Sequence, residues 1–90
     1  MLKNSSILIT GGTGSFGHTF IPMTLEKYNP KKLVVFSRDE IKQWEMAKLF
    51  KDDSRVRFMI GDVRDKDRLY RVLDGIDYVV HAAATKIVPT

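Results

Sequence analysis

The chain has 90 residues, no cysteine and a formal net charge of +4 at pH 7. Without cysteine it forms neither a disulfide framework nor a cysteine-based zinc site, and its basic residues are scattered among acids rather than clustered as on nucleic-acid-binding surfaces. The apolar run at residues 7–9 is too short for a signal peptide or a membrane span. We therefore expect a soluble, cytoplasmic domain with no metal site, no nucleic-acid partner and no membrane partner.

Short apolar runs alternate along the chain with longer amphipathic segments. They predict strands at residues 6–10, 32–37, 56–60 and 77–81, and helices at residues 15–28, 39–50 and 66–73. Pro22 removes one backbone donor from the first helix, where we expect a kink or a weakened turn. Strands joined by helices form a parallel sheet covered on both faces, and right-handed crossovers give the strand order 3-2-1-4. The carboxyl ends of all these strands then lie at one edge.

Each predicted helix carries apolar residues for a buried side. The candidates are Phe16, Phe20, Ile21, Leu25 and Tyr28 in the first helix, Ile41, Trp44, Ala47 and Leu49 in the second, and Leu69, Val72 and Leu73 in the third. No strand is predicted after the fourth, so the fourth is expected to be an open sheet edge. We therefore expect the isolated chain to be marginally stable or to self-associate through that edge.

A glycine-rich turn, Thr10-Gly11-Gly12-Thr13-Gly14-Ser15-Phe16-Gly17, joins the first predicted strand to the first helix. Small residues there permit a tight turn, let the backbone approach a pyrophosphate, and allow the helix to pack closely on the sheet. The alternative is a glycine-rich loop without a ligand, but its place between a strand and a helix favours a dinucleotide site. The predicted contact residues are Gly11, Thr13, Gly14, Ser15, Phe16 and Gly17.

The end of the second predicted strand, Ser37-Arg38, indicates which dinucleotide binds. An NAD site usually has an acid there for the ribose 2′-hydroxyl, whereas a hydroxyl and a guanidinium suit the 2′-phosphate of NADP. Lys42, one helical turn later, adds a second cation. In the alternative, Arg38 and Lys42 are solvated surface charges and Asp39 serves the ribose. We expect NADP as the cofactor.

Asp62 and Val63 follow the third predicted strand and are therefore expected beside the adenine. A carboxylate there accepts a hydrogen bond from the exocyclic amine, while valine packs on the ring. The alternative is an aspartate that caps a helix or stabilises a loop. Next to the glycine-rich turn, the ligand-binding interpretation is favoured.

Together these motifs resemble the extended short-chain dehydrogenase/reductases, and within them the inverting UDP-N-acetylglucosamine 4,6-dehydratases, which supply bacterial surface and flagellar glycans. The resemblance covers essentially the whole chain and is carried by residues 10–17, 36–40 (Phe-Ser-Arg-Asp-Glu), 61–65 (Gly-Asp-Val-Arg-Asp) and 81–89 (His-Ala-Ala-Ala-Thr-Lys-Ile-Val-Pro). It implies an α/β fold in which residues 1–90 form the N-terminal half of a Rossmann-type, doubly wound parallel sheet. The substrate domain is expected to be absent from this chain.

The resemblance also implies roles for individual residues. The pyrophosphate would contact Thr13 to Phe16, and Asp62 and Val63 would hold the adenine. The 2′-phosphate region would be bound by Ser37, Arg38, Asp39, Glu40, Ile41 and Lys42. Ala82 would line the path to the nicotinamide ribose, and Lys86 would reach the cofactor or the sugar nucleotide, unless it is a plain surface lysine.

The reaction implied by the resemblance removes a hydride from C4 of a UDP-sugar, eliminates water across C5 and C6, and returns the hydride to C6 with inversion at C5. Such enzymes use a Tyr-x-x-x-Lys pair on one helix. The match at Tyr28 and Lys32 is interrupted by Pro30 and runs into the second strand, so it is rejected. His18 and His81 are better explained as packed or capped histidines, and no catalytic residue is expected within the chain.

The predicted function is thus the NADP-binding part of a longer, homo-oligomeric enzyme that acts on a UDP-sugar. Two alternatives stay open at this point. One is a module that binds NADP without catalysing a reaction, and the other is a different extended short-chain enzyme, such as a sugar-nucleotide epimerase. A downstream Tyr-x-x-x-Lys pair on a helix would favour an enzyme over the binding module.

Overall fold

The computed structural model describes residues 3–11, 13–81 and, as backbone only, 86–89. The strands are β1 (Ser6–Thr10), β2 (Lys32–Ser37), β3 (Val56–Ile60), β4 (Tyr78–His81) and β5 (Lys86–Pro89), and the helices are α1 (Ser15–Tyr28), α2 (Glu40–Leu49) and α3 (Lys66–Leu73). These bounds agree with the predicted ones apart from small differences in α2 and β4. Helix α2 is shorter than predicted because Asp39 and Phe50 are its caps rather than members.

The sheet has the order β3-β2-β1-β4-β5. Strand β1 pairs in parallel with β2 and β4, and β2 pairs in parallel with β3. These four parallel strands confirm the predicted order 3-2-1-4, and their carboxyl ends lie at one edge of the sheet. The central strand β1 is buried along its whole length, as expected for a strand that has helices on both faces.

Strand β5 contradicts the prediction that β4 is an open edge. Its backbone runs antiparallel to β4, from Tyr78 opposite Pro89 to His81 opposite Lys86. Segments this close in the chain pair at a small cost in loop-closure entropy, and a short connection suffices for antiparallel strands. The predicted self-association through β4 therefore loses its basis, while marginal stability stays a prediction.

The core has two parts because successive strand residues point to opposite faces of the sheet. On one face, Ile7 and Ile9 pack with Phe20, Ile21 and Leu25 of α1 and Met46 of α2. On the other face, Leu8, Val34 and Phe36 pack with Val72 of α3. The buried sides predicted for α1 and α3 are thus confirmed. Helix α1 is continuous through Pro22 and ends at Asn29, which has the left-handed conformation typical of a C-cap.

The buried side predicted for α2 was wrong for three of its four residues, and the fourth, Ala47, is half-buried. Ile41, Trp44 and Leu49 are 72%, 63% and 65% exposed, whereas Gln43 and Met46 are the buried residues of this helix. The Asp39 carboxylate fixes the start of α2 by accepting a hydrogen bond from the Lys42 N–H at 2.9 Å. Each residue adds about 100° of rotation, so Gln43 and Met46 share one face of the helix and Ile41 lies on the opposite side.

Candidate functional site

A cleft of about 920 Å³ lies at the carboxyl edge of the sheet. An adjoining depression of about 580 Å³ extends from it toward the start of α2. The cleft is lined by Thr10, Gly11, Gly14, Ser15, Phe16, Phe36, Ser37, Arg38, Gly61, Asp62, Val63, Arg64 and His81. The adjoining depression is lined by Gly11, Thr13, Gly14, Ser37, Arg38, Asp39 and Lys42. The structure therefore brings together three separate motifs of the sequence.

The glycine-rich turn forms one wall of the cleft. Gly11 has a φ of 65°, in the left-handed region that favours glycine, and its N–H donates to the carbonyl oxygen of Phe36 at 3.0 Å. Gly14 is the N-cap of α1 and provides no side-chain hydrogen bond, and the first turn of α1 contains no acid. The first backbone N–H groups of α1 therefore meet no capping side chain from the N-cap residue, because glycine has none. The positive end of the helix lies at the cleft.

The fold itself does not require glycine at every position of this turn. A Cβ added at Gly14 would meet nothing closer than the carbonyl oxygen of Gly11, at 4.0 Å, and the φ of Gly14 is an ordinary −85°. Gly17, by contrast, is buried inside α1, where its small size suits close packing. Gly14 is a favourable residue at an N-cap, and the space beside it is open toward the cleft.

Ser37 and Arg38 lie between the cleft and its adjoining depression. Ser37 is buried, and its Oγ accepts a hydrogen bond from Nε2 of Gln43 at 2.9 Å. Arg38 is largely exposed, with its guanidinium 3.6 Å from the Asp62 carboxylate. The hydroxyl and the cation predicted to bind a phosphate are therefore adjacent, although part of the charge of Arg38 is offset by Asp62.

The remaining predicted contacts lie at the start of α2, where some of them line the adjoining depression and others do not. Asp39 and Lys42 line the adjoining depression. Glu40 and Ile41 are exposed and do not line either space among the residues that the structure describes. Asp39 already uses one carboxylate oxygen to cap α2, which leaves its other oxygen for a ligand.

Asp62 is the centre of a charged network that lines the cleft. The Arg64 guanidinium donates to both carboxylate oxygens at 2.8–3.2 Å, and the Arg64 N–H donates to Oδ1 at 2.9 Å. The hydrogen bonds from the Arg64 side chain, followed by that from its backbone, lower the pKa of Asp62 to about 2. Asp62 is thus ionised at neutral pH, and its unused lone pairs can still accept hydrogen bonds.

Five residues of the cleft did not appear among the predicted contacts: Thr10, Phe36, Gly61, Arg64 and His81. The Oγ1 of Thr10 lies 2.9 Å from Nδ1 of His81, so the ends of β1 and β4 are joined at the cleft. Gly61 leaves room for the ring of Phe36, because an added Cβ would lie 2.5 Å from Cε2. Thr10 and His81 are the last residues of β1 and β4, so a search for the final residue of each parallel strand would have identified them.

The predicted roles of Ala82 and Lys86 concern groups outside the described part of the chain. Ala82 lies outside the described residues. Lys86 begins β5 and pairs with His81 through its backbone, but its side chain lies outside the described part. Both roles therefore stay predictions.

Residues 7–90 match a family of known sequences described as "Polysaccharide biosynthesis protein". The chain belongs to this family. It is 53% identical over 89 residues to the UDP-N-acetylglucosamine 4,6-dehydratase (inverting) of Campylobacter jejuni, which covers 99% of the chain and 26% of that protein. It is also 42% identical over 93 residues to the UDP-glucose 4-epimerase of Rickettsia bellii, which covers 100% of the chain and 27% of that protein. This member of the family thus spans about a quarter of the length of the curated relatives it matches.

Two solved structures resemble this family member. The X-ray structure of Pen from Bacillus thuringiensis matches 90% of the chain and 25% of its own length, with 38% identity and a TM-score of 0.82. The crystal structure of dTDP-glucose 4,6-dehydratase from Bacillus anthracis, in complex with NAD, matches 86% of the chain and 26% of its own length, with 23% identity and a TM-score of 0.74. The second likeness supports the fold alone. Within the described residues, no helix is long and apolar enough to cross a membrane.

Proposed function

We propose that this chain is the NADP-binding part of an inverting UDP-N-acetylglucosamine 4,6-dehydratase that makes a 4-keto-6-deoxy sugar nucleotide for bacterial surface polysaccharides. The observation that carries the proposal is the identity of 53% to such an enzyme over 89 residues. The cleft supports the same proposal, because it lies at the carboxyl edge of a parallel sheet, where ligands of such folds bind. The UDP-sugar substrate, a cytoplasmic location and a homo-oligomeric assembly belong to the proposal for the longer protein.

The residues that line the cleft fit a dinucleotide. The start of α1, with the open space at Gly14, would hold the pyrophosphate. Val63 is exposed and would pack against the adenine, while Asp62 keeps acceptor capacity for the exocyclic amine. When bound, NADP supplies the hydride acceptor and donor for the sugar. The contribution of this chain is to bind and orient the cofactor.

The preference for NADP over NAD rests on Ser37, Arg38 and Lys42. These residues place one hydroxyl and two cations around the space where α2 begins. A phosphate dianion gains charge-assisted hydrogen bonds from such groups. Asp39 is the competing feature, since its second carboxylate oxygen could accept a hydrogen bond from the ribose of NAD.

The experiment is a titration of the chain with NADP⁺ and NAD⁺, repeated with Arg38→Ala. We expect NADP⁺ to bind more tightly than NAD⁺. We expect Arg38→Ala to weaken NADP⁺ roughly tenfold, within the range of a hydrogen bond to a charged group, and to leave NAD⁺ nearly unchanged. Arg71→Ala is the control, because Arg71 is an exposed arginine in the last turn of α3 and does not line the cleft. Equal binding of the two dinucleotides, or an equal loss with both arginine variants, would show the preference for NADP to be wrong.

A sugar-nucleotide epimerase is the second candidate, and the identity of 42% to a UDP-glucose 4-epimerase favours it. The two activities give products of different mass. A 4,6-dehydratase converts UDP-N-acetylglucosamine to a product that lacks one water, whereas an epimerase gives an isomer of unchanged mass. Mass spectrometry of the products of the longer protein that carries this chain separates the two. Dinucleotide binding without either product would favour a binding module.

A further inference from the structure

Gln43 is a buried polar residue that no pattern in the sequence singles out. It is the sole glutamine in the chain and is 3% exposed. Its Nε2 lies 2.9 Å from Oγ of Ser37, 2.8 Å from the carbonyl oxygen of Met59, and 3.4 Å from the carbonyl oxygen of Ser37. The amide thus connects α2 with the ends of β2 and β3, directly behind the wall of the cleft.

The neighbours of Gln43 determine which way its amide faces. Backbone carbonyl oxygens only accept hydrogen bonds, so the group next to the carbonyl oxygens of Met59 and Ser37 must be the NH₂. An NH₂ has two hydrogens, and the two shortest contacts are those to Met59 and to Oγ of Ser37. The Ser37 hydroxyl therefore acts as an acceptor toward Gln43.

The same geometry determines what Ser37 offers to the cleft. A hydroxyl has one hydrogen and two acceptor positions. Because Nε2 of Gln43 has no lone pair to accept that hydrogen, the hydrogen of Ser37 is available for another acceptor. Ser37 lines both the cleft and the adjoining depression. Its hydroxyl therefore presents a donor to any ligand held there.

We propose that Gln43 is a positioning residue that makes the Ser37 hydroxyl a donor toward the cleft, and so favours a ligand phosphate over a ribose hydroxyl. A phosphate oxygen only accepts, and its bond with a hydroxyl donor is charge-assisted. A ribose hydroxyl is neutral and gains less from a donor with fixed direction. This inference rests on the proposed binding of a dinucleotide, and it adds a determinant of selectivity that does not touch the ligand.

The first test compares Gln43→Met with the unmodified chain in titrations with NADP⁺ and NAD⁺. Methionine fills a similar volume without donating, so the Ser37 hydroxyl is free to turn. We expect the affinity for NADP⁺ to fall roughly three- to tenfold relative to that for NAD⁺, as for the loss of one hydrogen bond. Ser37→Ala should lower the same ratio roughly 10- to 100-fold, because it removes the charge-assisted bond itself.

Two further variants separate positioning from a merely structural role. Met46→Val shortens a neighbouring buried side chain of α2 without touching Ser37, so it should lower the melting temperature and leave the ratio unchanged. In the double variant, adding Gln43→Met to Ser37→Ala should not change the ratio further, because the group through which Gln43 acts is gone. An equal loss for both dinucleotides, or an additive effect in the double variant, would overturn the inference.

A second measurement does not depend on the stability of a Gln43 variant. The side-chain amide of Gln43 can be observed by selective ¹⁵N labelling of glutamine, because the chain has no other glutamine, and its signal is then separate from those of the asparagine amides. We expect its hydrogens to exchange slowly with water and one of them to shift in Ser37→Ala. Rapid exchange, or no shift in Ser37→Ala, would overturn the assignment of the donor. Failure of the unmodified chain to bind either dinucleotide would instead overturn the proposed function.

Discussion

The Arg38 guanidinium lies 3.6 Å from Oδ2 of Asp62, although the two residues follow different strands. Strands β2 and β3 are neighbours in the sheet, so their carboxyl ends bring the two side chains together at the cleft. The carboxylate attracts the cation that we propose for the 2′-phosphate. Arg38 should therefore assist the binding of a phosphate, whereas Asp62 competes with the phosphate for the same cation.

This pairing makes a prediction for Asp62→Asn. The substitution removes the charge that offsets Arg38, so NADP⁺ should gain affinity relative to NAD⁺ by roughly two- to fivefold, the range expected for an exposed ion pair. The ratio is the measurement, because any loss of contact with the adenine affects both dinucleotides. Asp67→Asn, at an exposed residue in the first turn of α3, makes the same change in net charge away from the cleft and should leave the ratio unaltered. A lower ratio in Asp62→Asn would contradict the prediction.

The low pKa of Asp62 makes a prediction about pH and stability. Hydrogen bonds from Arg64 lower that pKa from 3.8 to about 2, so the ionised form of Asp62 is stabilised in the folded protein relative to the unfolded chain. The resulting stabilisation is fully present above pH 3.8 and is lost as the pH falls toward 2. The difference in the free energy of unfolding between the unmodified chain and Asp62→Asn should therefore be constant at higher pH and shrink over that interval. Urea titrations at several pH values measure it, and a difference that changes near neutral pH would contradict the assignment.

Two glycines at the cleft should respond to alanine substitution in different ways: Gly61 mainly in stability, and Gly14 mainly in ligand binding. Gly61→Ala places a Cβ 2.5 Å from the buried ring of Phe36 and should lower the free energy of unfolding by about 1–3 kcal/mol. Gly14→Ala meets no close atom and should cost no more than about 1 kcal/mol, the loss of a favourable N-cap. Gly14→Ala should nevertheless weaken binding of both dinucleotides, because its Cβ occupies the space proposed for the pyrophosphate. Chemical denaturation and titration test the two effects, and unchanged binding by a folded Gly14→Ala would count against the pyrophosphate site.

Helix α2 allows a test of which of its faces stabilises the fold. Met46 is fully buried, so Met46→Ala should lower the free energy of unfolding by about 2–5 kcal/mol. Trp44 is 63% exposed and its ring lies under the ammonium of Lys48, so Trp44→Ala should cost less than about 1 kcal/mol. Denaturation curves for the two variants provide the comparison. A larger loss for Trp44→Ala would mean that the sequence-based assignment of the buried face was right after all.

The hydroxyl of Thr24 offers a route to higher stability. Thr24 is fully buried in α1, and its Oγ1 has no hydrogen-bond partner among the described residues. Thr24→Val removes this hydroxyl with little change in shape and should raise the free energy of unfolding by about 1 kcal/mol. The control is Thr19→Val, since Thr19 is exposed and donates to the carbonyl oxygen of Ser15, and a change within about 0.5 kcal/mol is expected there. A thermal melt that shows no gain for Thr24→Val would indicate that this hydroxyl is satisfied.

Much of the fold was predictable because its signals are local. The continuous apolar runs of β1 and β2 marked strands buried on both faces, and glycines marked the turn into α1. The face of α2 was not predictable, because apolar residues occur on both of its sides and the buried polar Gln43 gives no hydrophobic signal. Hydrogen bonds from Gln43 to Ser37 and Met59, which belong to two other elements, and the packing of Met46 in the core together decide how this helix is rotated.

The candidate site divides in the same way. The chemical groups available can be read from the sequence: small residues before a helix, a hydroxyl and a guanidinium where β2 ends, and a carboxylate after β3. Each follows from short-range rules for turns, strand ends and helix starts. The pairing of Asp62 with Arg38, and the hydrogen bond that Ser37 accepts from Gln43, are visible in the tertiary structure alone. These pairings depend on strand order and on helix rotation. Both bring together side chains whose distance in space cannot be inferred from their spacing along the chain.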